Sequence, residues 1–140
     1  MSYAIRQDMI DRFGEKEITG LTDTTIPASG TVNDDVLTRA LTDADALING
    51  YLASRYTLPL TELPEVLTRV ACDLARYFLA RRPTDEMTKR YDQSIAWLRD
   101  VSTGKVTLGV TATQQQPVST GGPQSEGNDR VFGPDTFDDY

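Results

Sequence analysis

The run from Asn33 to Arg55 constrains this chain more than any other stretch. At about 100° per residue, Val36, Leu37, Ala40, Leu41, Ala44, Leu47, Ile48, Tyr51, Leu52 and Arg55 fall within an arc of about 160°. Such spacing specifies a helix over about 33–54, with Asn33 as N-cap and Asp34 and Asp35 complementing the positive end of its dipole. The arc is wider than the usual stripe of about 100°, so this helix needs more than one packing partner. It is expected to be the central and most buried helix of a bundle.

Three further helices follow from the same logic. Ile5, Met9, Ile10 and Phe13 recur at helical spacing before Gly14, which gives a short helix over about 4–13 with a glycine stop. Pro64 suits a first helical turn, and Val66, Leu67, Val70, Ala71, Leu74 and Phe78 line one face until Pro83 ends the run. Thr84 can cap a last helix with Met87, Tyr91, Ile95, Trp97, Leu98 and Val101 on its apolar face, stopped by Gly104. Between the first two helices, Glu15 to Val32 holds Gly20, Pro27 and Gly30 and reads as a loop with one turn around Ile18 to Leu21. Lys105 to Val110 alternates with period two, as a short strand would. The expected class is mainly α: three to four helices, a short β segment and an extended C-terminal arm.

Residues 111–130 have only Ala112 and Val118 as apolar side chains, too few to offset the entropy of ordering. The last ten residues bring back Val131, Phe132, Phe137 and Tyr140 among Asp135, Asp138 and Asp139, the composition of a docking segment. The expected organisation is a helical domain over 1–110, a polar linker over 111–130 and a docking segment over 131–140.

Composition narrows the chemistry. The 140 residues include no histidine, which removes Ser-His-Asp and Cys-His catalysis and the usual zinc sites. The single Cys72 cannot form an internal disulfide, and without a base nearby it reads as structural. Asp34/Asp35, Asp43/Asp45 and Asp138/Asp139 converge on no cleft that the pattern specifies, so they read as solvated charge. Arg69, Asp73 and Arg76 read as helix-surface ion pairs opposite the apolar stripe. Arg81-Arg82 and Lys89-Arg90 form a basic corner around Pro83 that reads as solvated, and no phosphate-binding glycine loop occurs. No run approaches a membrane span, and Met1 to Asp8 lacks the features of a signal peptide. The expectation is a non-enzyme without cofactor or metal, away from membranes. Its net charge of −7 opposes tight binding to nucleic acid phosphates.

Tyr56 to Leu60 is expected to be an ordered corner. Pro59 restricts the chain, and Tyr56, Leu58 and Leu60 are too apolar to leave in water without a packing partner. Burial is expected against the helix over 33–54 and the one after Pro64, or against an adjacent subunit, and Tyr56, Leu58, Pro59, Leu60, Val131, Phe132, Phe137 and Tyr140 are the candidate interface residues.

Tyr3 with Asp8-Met9 and Arg12-Phe13-Gly14, then Tyr51 to Leu60, Leu63-Pro64, Ala71 to Tyr77, Arg90-Tyr91 and Gly104 to Gly109 form a series of segments in order. Together they resemble the Mu-like phage head-tail connector, or neck adaptor, proteins. The resemblance implies a virion protein assembled in the host cytoplasm that forms a ring of about twelve copies below the portal. Such a ring would bind the portal protein on one side and the next neck or tail-completion protein on the other, while genome DNA passes through without specific binding. An acidic lumen suits passage, because it repels phosphates. The acidity leaves a second reading open, a small regulatory or DNA-mimic protein that occupies a host factor.

Overall fold

A computed structural model describes residues 2–109. Val131, Phe132, Phe137 and Tyr140, with the linker before them, lie outside the described residues. Five helices follow in order: α1 (Arg6–Phe13), α2 (Glu15–Thr22), α3 (Asp34–Leu52), α4 (Glu65–Leu79) and α5 (Asp85–Thr103). The class is mainly α. Helices α3, α4 and α5 each pack on the other two, and the α1–α2 pair packs against α3 and α4.

Local chemistry accounts for most helix ends. The Asn33 side chain accepts the backbone N–H groups of Asp35 and Val36, and Thr84 Oγ1 accepts that of Met87 at 3.2 Å. Asp8 reaches back to accept the N–H of Ile5 at 2.9 Å, closing the first turn of α1. Gly104 ends α5 at φ 89°, a left-handed conformation in which a Cβ would be strained.

Helix α2 corrects the expected loop. Its eight residues, EKEITGLT, carry too few apolar positions for a periodic signal, yet Ile18 and Thr22 are fully buried. Thr22 Oγ1 donates to the carbonyl of Ile18 at 2.8 Å and accepts the N–H of Asn33 at 3.0 Å, which ties the end of α2 to the start of α3. The loop between them is organised by Asp23, whose carboxylate accepts from Thr25 N, Thr25 Oγ1 and Gly30 N. These bonds hold its pKa down at about 2.

Two more expectations change. The most buried helix is α4, where every residue from Val70 to Arg76 is buried; α3 buries Leu37, Ala40, Leu41, Ala44, Ile48 and Leu52 on one side only. Helix α4 is enclosed because α1, α3 and α5 all pack on it. Residues 105–109 form no strand, and the described residues contain no sheet. Leu108 is instead buried, with its N–H donated to the phenolic oxygen of Tyr56 at 3.0 Å. A side-chain acceptor replaces the ladder that an isolated strand would lack.

Candidate functional site

The corner after α3 turns inward. Tyr56 and Leu60 are 1% and 4% exposed and belong to the core, Leu58 is half-buried against it, and Pro59 is exposed. The surface offered here to any partner is thus that of Leu58 and Pro59. At the other end of the chain, buried Tyr3 takes hold of α3. Its N–H donates to Asp45 at 2.9 Å, and its hydroxyl donates to Asn49 Oδ1. Burial, with Asp45 beside it, pushes the Tyr3 hydroxyl up to about 12. Asp45 therefore has a structural partner, and Asp34 pairs with Arg6 at 2.8 Å.

Of the charged residues of α4, Glu65 and Arg69 lie on its surface as expected, whereas Asp73 and Arg76 do not. Asp73 and Arg76 are 5% and 8% exposed and sit within a network spanning three helices. Arg76 Nε meets Glu17 Oε2 of α2 at 2.6 Å, Arg76 Nη2 meets Glu17 Oε1 at 3.2 Å, and Glu86 of α5 lies 3.6 Å away. Arg90 then bridges Glu86 at 3.2 Å and Asp73 at 3.7 Å. The Arg76 guanidinium also lies 4.6 Å from the centroid of the Phe13 ring, which adds α1 to the cluster. Burial raises the pKa of Asp73, opposed by Arg90 and then by Arg69, Arg12 and Arg76. The sequence pattern missed this cluster because α2 itself was not visible in it. Periodicity within α4 could not reveal a partner 59 residues away.

Cys72 is fully buried, and burial pushes its thiol up to about 12, away from the thiolate that a nucleophile needs. Among the described residues no group of three or more acidic or thiol side chains is placed to hold a metal, and no helix is long and apolar enough to cross a membrane. The basic corner divides. Arg90 is drawn into the network, whereas Arg81 and Arg82 are exposed and make no ion pair among the described residues. Beside them the rings of Tyr77 and Tyr91 stack at 4.0 Å, and Phe78 sets its edge against both.

What the described residues display on the surface is an aromatic and basic flank at the end of α4, and the rim of the Tyr56–Leu60 corner. Comparison with known proteins places this arrangement in a family. The family model for Bacteriophage Mu, Gp36 matches residues 3–126, a span that includes all five helices. The Mu-like prophage FluMu protein gp36 of Haemophilus influenzae is 33% identical over 135 residues, 96% of this chain and 94% of that protein. Gene product J of Escherichia phage Mu is 39% identical over 111 residues, 79% of this chain and 78% of that protein. The chain belongs to the bacteriophage Mu Gp36 family and is a protein of the Mu-like phages.

Proposed function

We propose that this chain is a structural, non-catalytic head-tail connector subunit. In this reading about twelve copies form a ring below the portal of a Mu-like phage and extend the DNA channel toward the next neck or tail-completion protein. The observation that carries the reading is the family match from residue 3 to 126, which continues beyond the helical body into the polar stretch after it. A body whose core among the described residues runs from Tyr3 to Leu108, followed in sequence by a stretch rich in acids with three aromatics among its last ten residues, suits a subunit that must both stand in a ring and reach a neighbour. The sealed thiol and the absence of histidine support a role without catalysis.

Quantitative mass spectrometry of purified particles, with a symmetry-resolved image of the neck, tests the proposal. The expected result is a fixed copy number and ring density between portal and tail. Absence of the protein from purified particles would replace this reading with that of an acidic regulatory protein.

A further inference from the structure

Two adjoining cavities of about 440 and 240 Å³ form one groove at the end of the molecule where α2 stops and α4 ends. Leu21, Thr24, Leu79 and Arg81 line both, Ile26 belongs to the first, and Arg39 and Phe78 belong to the second. Its chemistry is mixed in a specific way. Four large apolar side chains are left exposed among the described residues, and two of them, Ile26 at 98% and Phe78 at 37%, line this groove. Arg39 and Arg81 in its wall, with Arg82 next in sequence, make no ion pair among the described residues. Two acids also border it. Asp23 already accepts three hydrogen bonds from its own loop, and Asp43 stands on the polar side of α3. The groove thus presents exposed apolar surface flanked by arginines that make no ion pair among the described residues.

The remainder of the chain carries the complementary pattern. Residues 2–109 hold 13 basic and 16 acidic side chains, a net of 13 − 16 = −3. Residues 110–140 hold one basic side chain, Arg130, against five acids, a net of 1 − 5 = −4. Most of the net negative charge, −4 of −7, therefore lies in the last 31 residues. Within 131–140, Phe132, Phe137 and Tyr140 alternate with Asp135, Asp138 and Asp139, and no basic residue intervenes. We propose that the groove walled by Leu21, Ile26, Phe78 and Leu79 and flanked by Arg39 and Arg81 is the seat of segment 131–140 of this chain. The aromatic rings cover the exposed apolar wall, and the aspartates meet the arginines.

Reach allows the contact. The bond from Leu108 to Tyr56 anchors the start of the linker near the C-terminal end of α3. The groove lies beside Ala40, about 20 Å away along that helix at 1.5 Å per residue. The 20-residue linker over 111–130 can span about 25 Å as a coil, enough for the groove of the same copy or of an adjacent one. The inference deepens the connector reading by stating where the arm lands, and it rests on that reading only for which copy supplies the arm.

Disulfide trapping in the full chain tests the proposal in any oligomeric state. Thr24→Cys in the groove is paired with Thr136→Cys in the segment, which leaves every aspartate in place, and buried Cys72 stays out of the reaction. The control pairs Thr136→Cys with Gln93→Cys on the exposed face of α5. Under mild oxidation the Thr24 pair should link about tenfold faster than the control, because docking raises the local concentration. Arg39→Glu with Arg81→Glu, both exposed positions, should reduce the rate to that of the control, and Asp138→Lys with Asp139→Lys should restore it. Equal rates for the two pairs, or charge reversals without effect, would overturn the seat. Links within one chain and links between chains both uphold it, and only the latter support an arm exchanged around a ring.

Discussion

The phenolic oxygen of Tyr56 accepts the backbone N–H of Leu108 at 3.0 Å, with both residues inside the core. This bond joins the corner after α3 to the segment after α5 across 52 positions of sequence. It holds the last described residues against the body. Tyr56→Phe keeps the ring and removes the acceptor, leaving a buried N–H unsatisfied at a cost of about 1–2 kcal/mol. Urea denaturation should show that loss, and amide exchange at Leu108 should speed up well before global unfolding. Unchanged stability with full protection at Leu108 would show that another group satisfies the amide.

The pairing of Glu17 with Arg76 should outweigh that of Glu86 with the same guanidinium. Glu17 makes two short contacts in a nearly buried setting, whereas Glu86 is more than half exposed and 3.6 Å away. Glu17→Ala is expected to cost about 2 kcal/mol, because it strips the main partner from a buried charge. Glu86→Ala should cost under about 1 kcal/mol and lose even that in high salt. Denaturation midpoints in the reverse order would mean that α2 contributes little to holding α4.

Asp73 gives a signed dependence on pH. Its pKa is raised above 3.8 by burial, so the folded state prefers the protonated acid. As pH rises from 3.8 through the folded value, the unfolded chain ionises freely while the native state must ionise a buried carboxyl, and stability falls. Asp73→Asn removes that penalty. The stability of the variant relative to the native sequence should grow with pH across this window and level off above it. Asp23 acts in the opposite sense, contributing stability above 3.8 that is lost as pH falls to about 2. Because both proteins carry Asp23, it cancels in the difference. A difference that is flat with pH would show that Arg90 fully compensates the burial.

Gly104 is expected to resist replacement for two separable reasons. Its φ of 89° disfavours any side chain, and a Cβ there would meet the flexible guanidinium end of Arg55, which must shift aside. Gly104→Ala should cost about 1–2 kcal/mol. In an Arg55→Ala background the clash is gone and only the backbone strain remains, so the cost should drop by part of its value. Thermal melts of the four proteins in this cycle decide it; strict additivity would mean that Arg55 moves aside freely.

Deleting residues 131–140 separates the body from its arm. Among the described residues the core cluster runs from Tyr3 to Leu108, and the melting temperature of the isolated protein should hardly change. Joining of heads to tails should fail or leak. A truncated chain that still supports stable infectious particles would exclude an essential arm.

The sequence alone was enough for those features whose cause lies within a turn or two of chain. Asn33 and Thr84 cap their helices through their own side chains, Gly14 and Gly104 stop theirs, and the spacing from Leu37 to Leu52 marks the buried side of α3. The aromatic and acidic character of 131–140 was legible for the same reason, since composition needs no partner to be read. Tertiary structure decided what depends on distant neighbours. Helix α2 has little periodicity of its own and is held by Ile18 in the core and by Thr22 against Asn33. Asp73 and Arg76 look like surface residues within α4, because a local pattern cannot show that α1, α2 and α5 close over that side and supply Glu17, Glu86 and Arg90 as counter-charges. The groove at the end of α4 likewise exists only where α2, the loop after it and α3 meet. Its arginines, Arg39 and Arg81, are 81 − 39 = 42 positions apart in the chain, and only packing makes them neighbours.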